Sequence, residues 1–198
     1  MKRLPIGILG SGKGTNCRAI LENIRSGDLA AEARVVISDL LDAPILDIAR
    51  EFSVPNAYLP PGQFRTRLQV EAEEELVQIL CDVGVHLVVL AGFMRVLHTP
   101  MLRAFPQRII NIHPSLLPKF PGLEAWKQAL AAGETVTGCT VHYIDEKIDH
   151  GQIIAQREVA VLAHDTPESL HARIQIAERE LYPAAIAELC EKYAVSNG

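Results

Sequence analysis

The chain has 198 residues, 48% of them apolar, and a formal net charge of −5. That length and apolar share suit one domain, 1–198, with an N-terminal half (1–100) and a C-terminal half (101–198) on a shared sheet. The acidic balance gives no broad electrostatic reason to bind nucleic acid or an anionic membrane, so small-molecule partners are expected, with the chain acting as a monomer or homodimer.

"PIGIL" reads as a strand and residues 15–26 as a helix; "ARVVIS", residues 42–52, "NAYLP", residues 64–83 and "HLVVLAGF" continue the alternation. This βαβ order predicts an α/β fold: an open, mostly parallel, Rossmann-like sheet with helices on both faces. Beyond Met94 come a short helix in "LHTPMLRAF", the strand "RIINIH", a proline-rich loop and a helix from Leu123 to Ala132. "TGCTVHYID" and "QIIAQREVAV" are close enough to pair as a hairpin, so the sheet is expected to be mixed on that side. A final helix spans Thr166 to Tyr193.

Cys17, Cys81, Cys139 and Cys190 are widely separated and form no C-x-x-C pair, which reads as free thiols in a reducing compartment. No run reaches roughly 18 uninterrupted apolar residues, and glycines interrupt the N-terminal run where a secretory segment would continue. A cytoplasmic location is expected.

Ligands of such sheets collect at the carboxyl ends of the strands. There the loop "GILGSGKGTN" opens a helix, with backbone N–H groups and the helix dipole directed at any docked anion. A dinucleotide fingerprint fails because Thr15 stands where its third glycine belongs, although Asp39 could serve as the ribose acid. A P-loop fails because Gly14 follows Lys13 and puts the hydroxyl one place late. The remaining readings are a cradle in which Gly14, Thr15 and Asn16 hold a phosphate monoester, or a tight turn without ligand.

Asn111 and His113 are two apart on a strand and so project from the same face. A carboxamide beside an imidazole is either a structural pair or one that joins a donor for a developing oxyanion to a proton-transfer group, and Pro114, Pro118 and Pro121 stiffen the adjoining loop. "YIDEKIDHG" supplies Asp145, Glu146, Asp149 and His150, either as a solvated acidic turn or as the source of a carboxylate that orients an imidazole. No nucleophile elbow and no metal-ligand spacing is visible, so neither a covalent enzyme intermediate nor a metal is expected.

Taken together, "SGKGTN", "VVLAGFMRVL", "IINIHPSLLPKFPG", "GCTVHYIDEKIDHGQII" and "RIQIAERELYP" resemble the folate-dependent formyltransferase family, in its glycinamide ribonucleotide branch, in one register along nearly the whole chain. The resemblance implies formyl transfer from the co-substrate N10-formyltetrahydrofolate to the amine of glycinamide ribonucleotide, in purine synthesis and without a metal. It implies a catalytic set of Asn111, His113 and Asp149, a phosphate loop of Gly14, Thr15 and Asn16, and acceptor contacts from Gln175 and Glu178. Met94, Arg95, Val96 and Leu97, together with Asn111, match the folate pocket, and "FRTR" makes Arg67 the candidate folate-contacting arginine. Two places depart from the pattern: Glu124 and Trp126 stand where some relatives have histidines, and the spacing from "FRTR" to "AGFM" is longer than usual. A formyl-folate hydrolase and a non-catalytic sensor on the same scaffold remain as alternatives, whereas a tRNA formyltransferase would need an appended basic domain.

Overall fold

The computed structural model describes residues 3–196. Strands β1 (Leu4–Leu9), β2 (Ala31–Ser38), β3 (Asn56–Tyr58), β4 (Leu87–Leu90) and β5 (Ile109–His113) pair in parallel. β6 (Val136–Tyr143) and β7 (Ile153–Ala160) add an antiparallel hairpin, giving the seven-stranded order β3-β2-β1-β4-β5-β6-β7. The α/β fold with a mixed, mostly parallel sheet is therefore as the sequence predicts.

Alternation along the strands sends side chains into two cores. On one face Ile6, Ile8, Val89, Ile110 and Ile112 meet α1 (Thr15–Ser26), α2 (Pro44–Glu51) and α6 (Pro167–Ser196). On the other, Val35, Val88, Leu90 and Ile109 meet α3 (Val70–Asp82) and α4 (Thr99–Ala104). In the C-terminal half the short α5 (Ala125–Ala131) packs against α6, with Trp126 and Leu130 at the rim of the first core.

Two anchors set the positions of α1 and α6 against the sheet. Gly14 takes φ +72° just before α1, where an added Cβ would come 2.8 Å from Ile48 and 3.0 Å from Ile45, so only glycine fits this entry to the helix. Tyr182 of α6 is fully buried, and its hydroxyl lies 3.0 Å from the Leu90 carbonyl and 3.1 Å from that of Ile110, which holds α6 across β4 and β5.

One predicted boundary is corrected. The helix read over 64–83 begins only at Val70, because residues 66–67 extend alongside Val96: Val96 N–H donates to the Thr66 carbonyl at 2.9 Å, and Arg67 bridges Val96. Among the described residues no helix is long and apolar enough to cross a membrane.

Candidate active site

Asn111 and His113 end β5, and both point to the face that Ile109 shares. Their antiparallel partners on β6 are His142 and Thr140, which therefore face the same way. The β6–β7 turn then brings in Asp149, whose backbone sits at φ +52°, a conformation Asp tolerates better than most side chains. Gly151 closes this turn, and a Cβ there would come 1.8 Å from the Tyr143 carbonyl. Asp149 is thereby pressed inward while Asp145 and His150, 3.8 Å apart, stay at the surface.

The result is a four-residue polar cluster. Asp149 Oδ2 lies 3.3 Å from His113 Nδ1 and accepts from the Gly122 N–H at 2.8 Å; Asp149 Oδ1 lies 3.6 Å from His142 Nε2. His142 Nδ1–H donates to the Tyr143 carbonyl at 2.8 Å, so its Nε2 is an acceptor for the Asn111 amide at 3.4 Å. Burial lowers the His142 pKa, outweighing the opposing pull of the Tyr143 carbonyl and Asp149, and keeps the ring neutral near pH 7. One Asn111 N–H is thus taken by His142 and the other is left for a ligand.

His113 is held at both nitrogens. Its Nε2–H donates to the Phe120 carbonyl at 2.9 Å, and its Nδ1 faces Asp149 Oδ2 at 3.3 Å. Of the pair on β5, Asn111 keeps one amide hydrogen without a recorded protein partner among the described residues, and His113 is held between Phe120 and Asp149. His142 went unmarked in the sequence; its signal was its place one strand over from Asn111 and in alternation with Thr140.

At the other end of the edge, no side chain caps α1, which leaves its first-turn N–H groups to a ligand. Asn16 donates from Nδ2 to Glu178 at 3.1 Å, while its buried Oδ1 has no protein partner among the described residues. Burial pushes the Glu178 carboxyl up to about 7, against the Asn16 hydrogen bond and the charge of Arg179. Gln175, one turn earlier on α6, lies 3.3 Å from His171 through its side-chain amide. Asp39, the candidate ribose acid, is buried under Ser11 (2.5 Å) and Arg95 (2.6 Å) and faces no opening.

The 94–97 segment splits by alternation. Met94 and Val96 are 61% and 37% exposed, an apolar wall at the sheet edge. Arg95 instead binds Asp39 and the carbonyls of Phe64 and Arg65, and Leu97 is buried in the second core, so neither offers its side chain to a ligand. Arg67 stacks 3.9 Å above the Phe64 ring beside Val96, at one end of an open cleft of about 920 Å³ between α3 and α4.

A parallel sheet whose carboxyl edge carries an amide–imidazole–carboxylate cluster beside an uncapped glycine-led helix has the arrangement of a group-transfer enzyme with an anion-accepting helix start. Residues 4–186 match the formyl transferase family, and the chain belongs to that family. It is 37% identical to the phosphoribosylglycinamide formyltransferase of Bacillus subtilis, over 92% of each chain. It is 43% identical, over 94% of its own length, to the trifunctional purine biosynthetic protein adenosine-3 of Drosophila pseudoobscura pseudoobscura, of which it spans 14%. Its fold superposes on the crystal structure of glycinamide ribonucleotide transformylase 1 from Symbiobacterium toebii with a TM-score of 0.92 and 46% identity, covering 96% of this chain and 89% of that one.

Proposed function

We propose that this chain transfers the formyl group of N10-formyltetrahydrofolate to the amine of glycinamide ribonucleotide, a step of de novo purine biosynthesis. The reading is carried by one observation: the Asn111–His142–Asp149–His113 cluster stands at the same sheet edge as the uncapped α1 cradle. A hydrolase would need the first and not the second.

Each part has a task in this reaction. The acceptor's phosphate rests on the N–H groups of Gly14, Thr15 and Asn16, and Gln175 and Glu178 hold its ribose side. The folate lies against Met94 and Val96, with Arg95 and Leu97 supporting that wall from behind and Arg67 beside its anionic end. The amine attacks the formyl carbon, and the free Asn111 N–H steadies the oxyanion that forms. Collapse breaks the bond to N10 of the folate, which takes up a proton as the amine loses one; the His113–Asp149 pair carries that proton. Holding amine and formyl carbon in register supplies much of the rate.

The free thiols of Cys17, Cys81, Cys139 and Cys190 support a cytoplasmic setting for this chemistry. The test is folate release in the presence of glycinamide ribonucleotide or of buffer alone. Release should depend on the acceptor; equal rates would make the chain a hydrolase, and folate binding without release would make it a sensor.

A further inference from the structure

Trp126 of α5 and His171 of α6 lie face to face, with ring centroids 3.6 Å apart and planes 3° from parallel. One face of the imidazole is thereby covered, and its Nε2 meets the Gln175 amide at 3.3 Å. No protein group among the described residues hydrogen-bonds its Nδ1. The ring is fixed, with an edge left over.

That edge belongs to a stripe. On α6, His171, Gln175 and Glu178 follow at i, i+4 and i+7 and share one face. The Glu178 end of the stripe is bonded to Asn16 in the first turn of α1. At the other end Lys13, the residue before Gly14, is close enough for its charge to act on His171. The stripe therefore starts at the first turn of α1, and the stacked histidine at its far end lies within reach of the Lys13 charge. Burial, with a smaller contribution from Lys13, lowers the pKa of His171, so the free ring is a neutral hydrogen-bonding group.

We propose that the Trp126–His171 pair determines acceptor specificity: His171, held by Trp126 and Gln175, extends the 14–16 cradle and with Lys13 selects acceptors that carry a phosphate monoester. This rests on the reading of that loop as the acceptor's phosphate site. A purely structural stack would stabilise the α5–α6 contact and discriminate between no substrates.

The experiment compares His171→Ala, Trp126→Ala and Trp126→Phe with the unaltered protein, using glycinamide ribonucleotide, its dephosphorylated riboside and inorganic phosphate as a competitor. Losing one hydrogen bond to a charged group corresponds to about a tenfold weakening. His171→Ala should raise KM for the ribonucleotide, and the inhibition constant of phosphate, by about that factor while leaving kcat and the KM for riboside and folate within about twofold. Trp126→Ala should do the same, and Trp126→Phe, which keeps an aromatic platform, should retain most of the discrimination. Equal losses on ribonucleotide and riboside, or no change on either, would overturn the proposal. An unaltered enzyme that fails to distinguish the two acceptors would overturn the phosphate-site reading itself, and this inference with it.

Discussion

Asn111 has one amide hydrogen committed to His142 and one left over, and in the proposed mechanism that second hydrogen serves the transition state. Asn111→Ala should lower kcat by about a hundred- to a thousandfold, the usual loss for one oxyanion donor, with smaller changes in either KM. Asp149→Asn should be similarly damaging, because an amide can still accept from Gly122 but cannot share a proton with His113. Steady-state kinetics decide both; near-normal turnover in either variant removes that residue from the mechanism. Glu178 bears on stability instead. Its folded-state pKa of about 7 stands above the 4.5 of an ordinary glutamate, so between those values the folded chain binds more protons than the unfolded one. This contribution is fully present below pH 4.5 and is lost as pH rises through 7, at a cost of about 3 kcal/mol. Glu178→Gln keeps the acceptor of the Asn16 bond without the charge, so in denaturant titrations it should gain stability over the unaltered protein at pH 8 and little at pH 4.5. An equal difference at both pH values would contradict the burial of the charge as the cause. The i, i+2 spacing made Asn111 and His113 legible in the sequence. His142 was not, since what marks it is its pairing across to Asn111. The resemblance matches residues 94–97 as a block, whereas their alternating burial turns the Leu97 side chain into the core.

Among the elements, α1 with its glycine-led entry carries the acceptor claim. Its first-turn N–H groups have no side-chain cap, so a negative charge introduced beside them competes directly with a phosphate. Thr15→Asp should weaken glycinamide ribonucleotide at least tenfold, about 1.4 kcal/mol, and leave folate affinity nearly unchanged because Met94 and Val96 stand on a different loop. Calorimetric titration of each ligand checks this, and equal weakening of both would deny the phosphate site. The boundaries of α1 were readable because Gly14 and Gly27 bracket its apolar stripe with left-handed turns. The start of α3 was not: "FRTRLQ" has the polarity of a helix, and its pairing with Val96 and the bonds from Arg95 to the Phe64 and Arg65 carbonyls, both distant in sequence, hold it extended.

At the scale of the molecule, the sheet is what makes a site from distant residues. The parallel run from β1 to β5 puts the carboxyl ends of β1, β4 and β5 along one edge, so residues 14–16, 94–97 and 111–113 arrive together. The antiparallel hairpin then returns Asp149 to the end of β5, and Tyr182 lays α6 so that Glu178 reaches the first of these segments. The alternation of strands and helices foretold this convergence in outline. The inward turn of Asp149 depended on a left-handed residue and on the close approach of Gly151, neither of which has a period to read. Because one sheet holds both the cradle and the cluster, bond making at the cluster should require an acceptor gripped at the cradle. The direct measurement is single-turnover release of folate from N10-formyltetrahydrofolate with and without glycinamide ribonucleotide. Release should be faster by roughly three orders of magnitude or more with the acceptor, the formyl group being recovered on its amine. Comparable rates in both conditions, with formate as the product, would contradict this coupling of cradle and cluster.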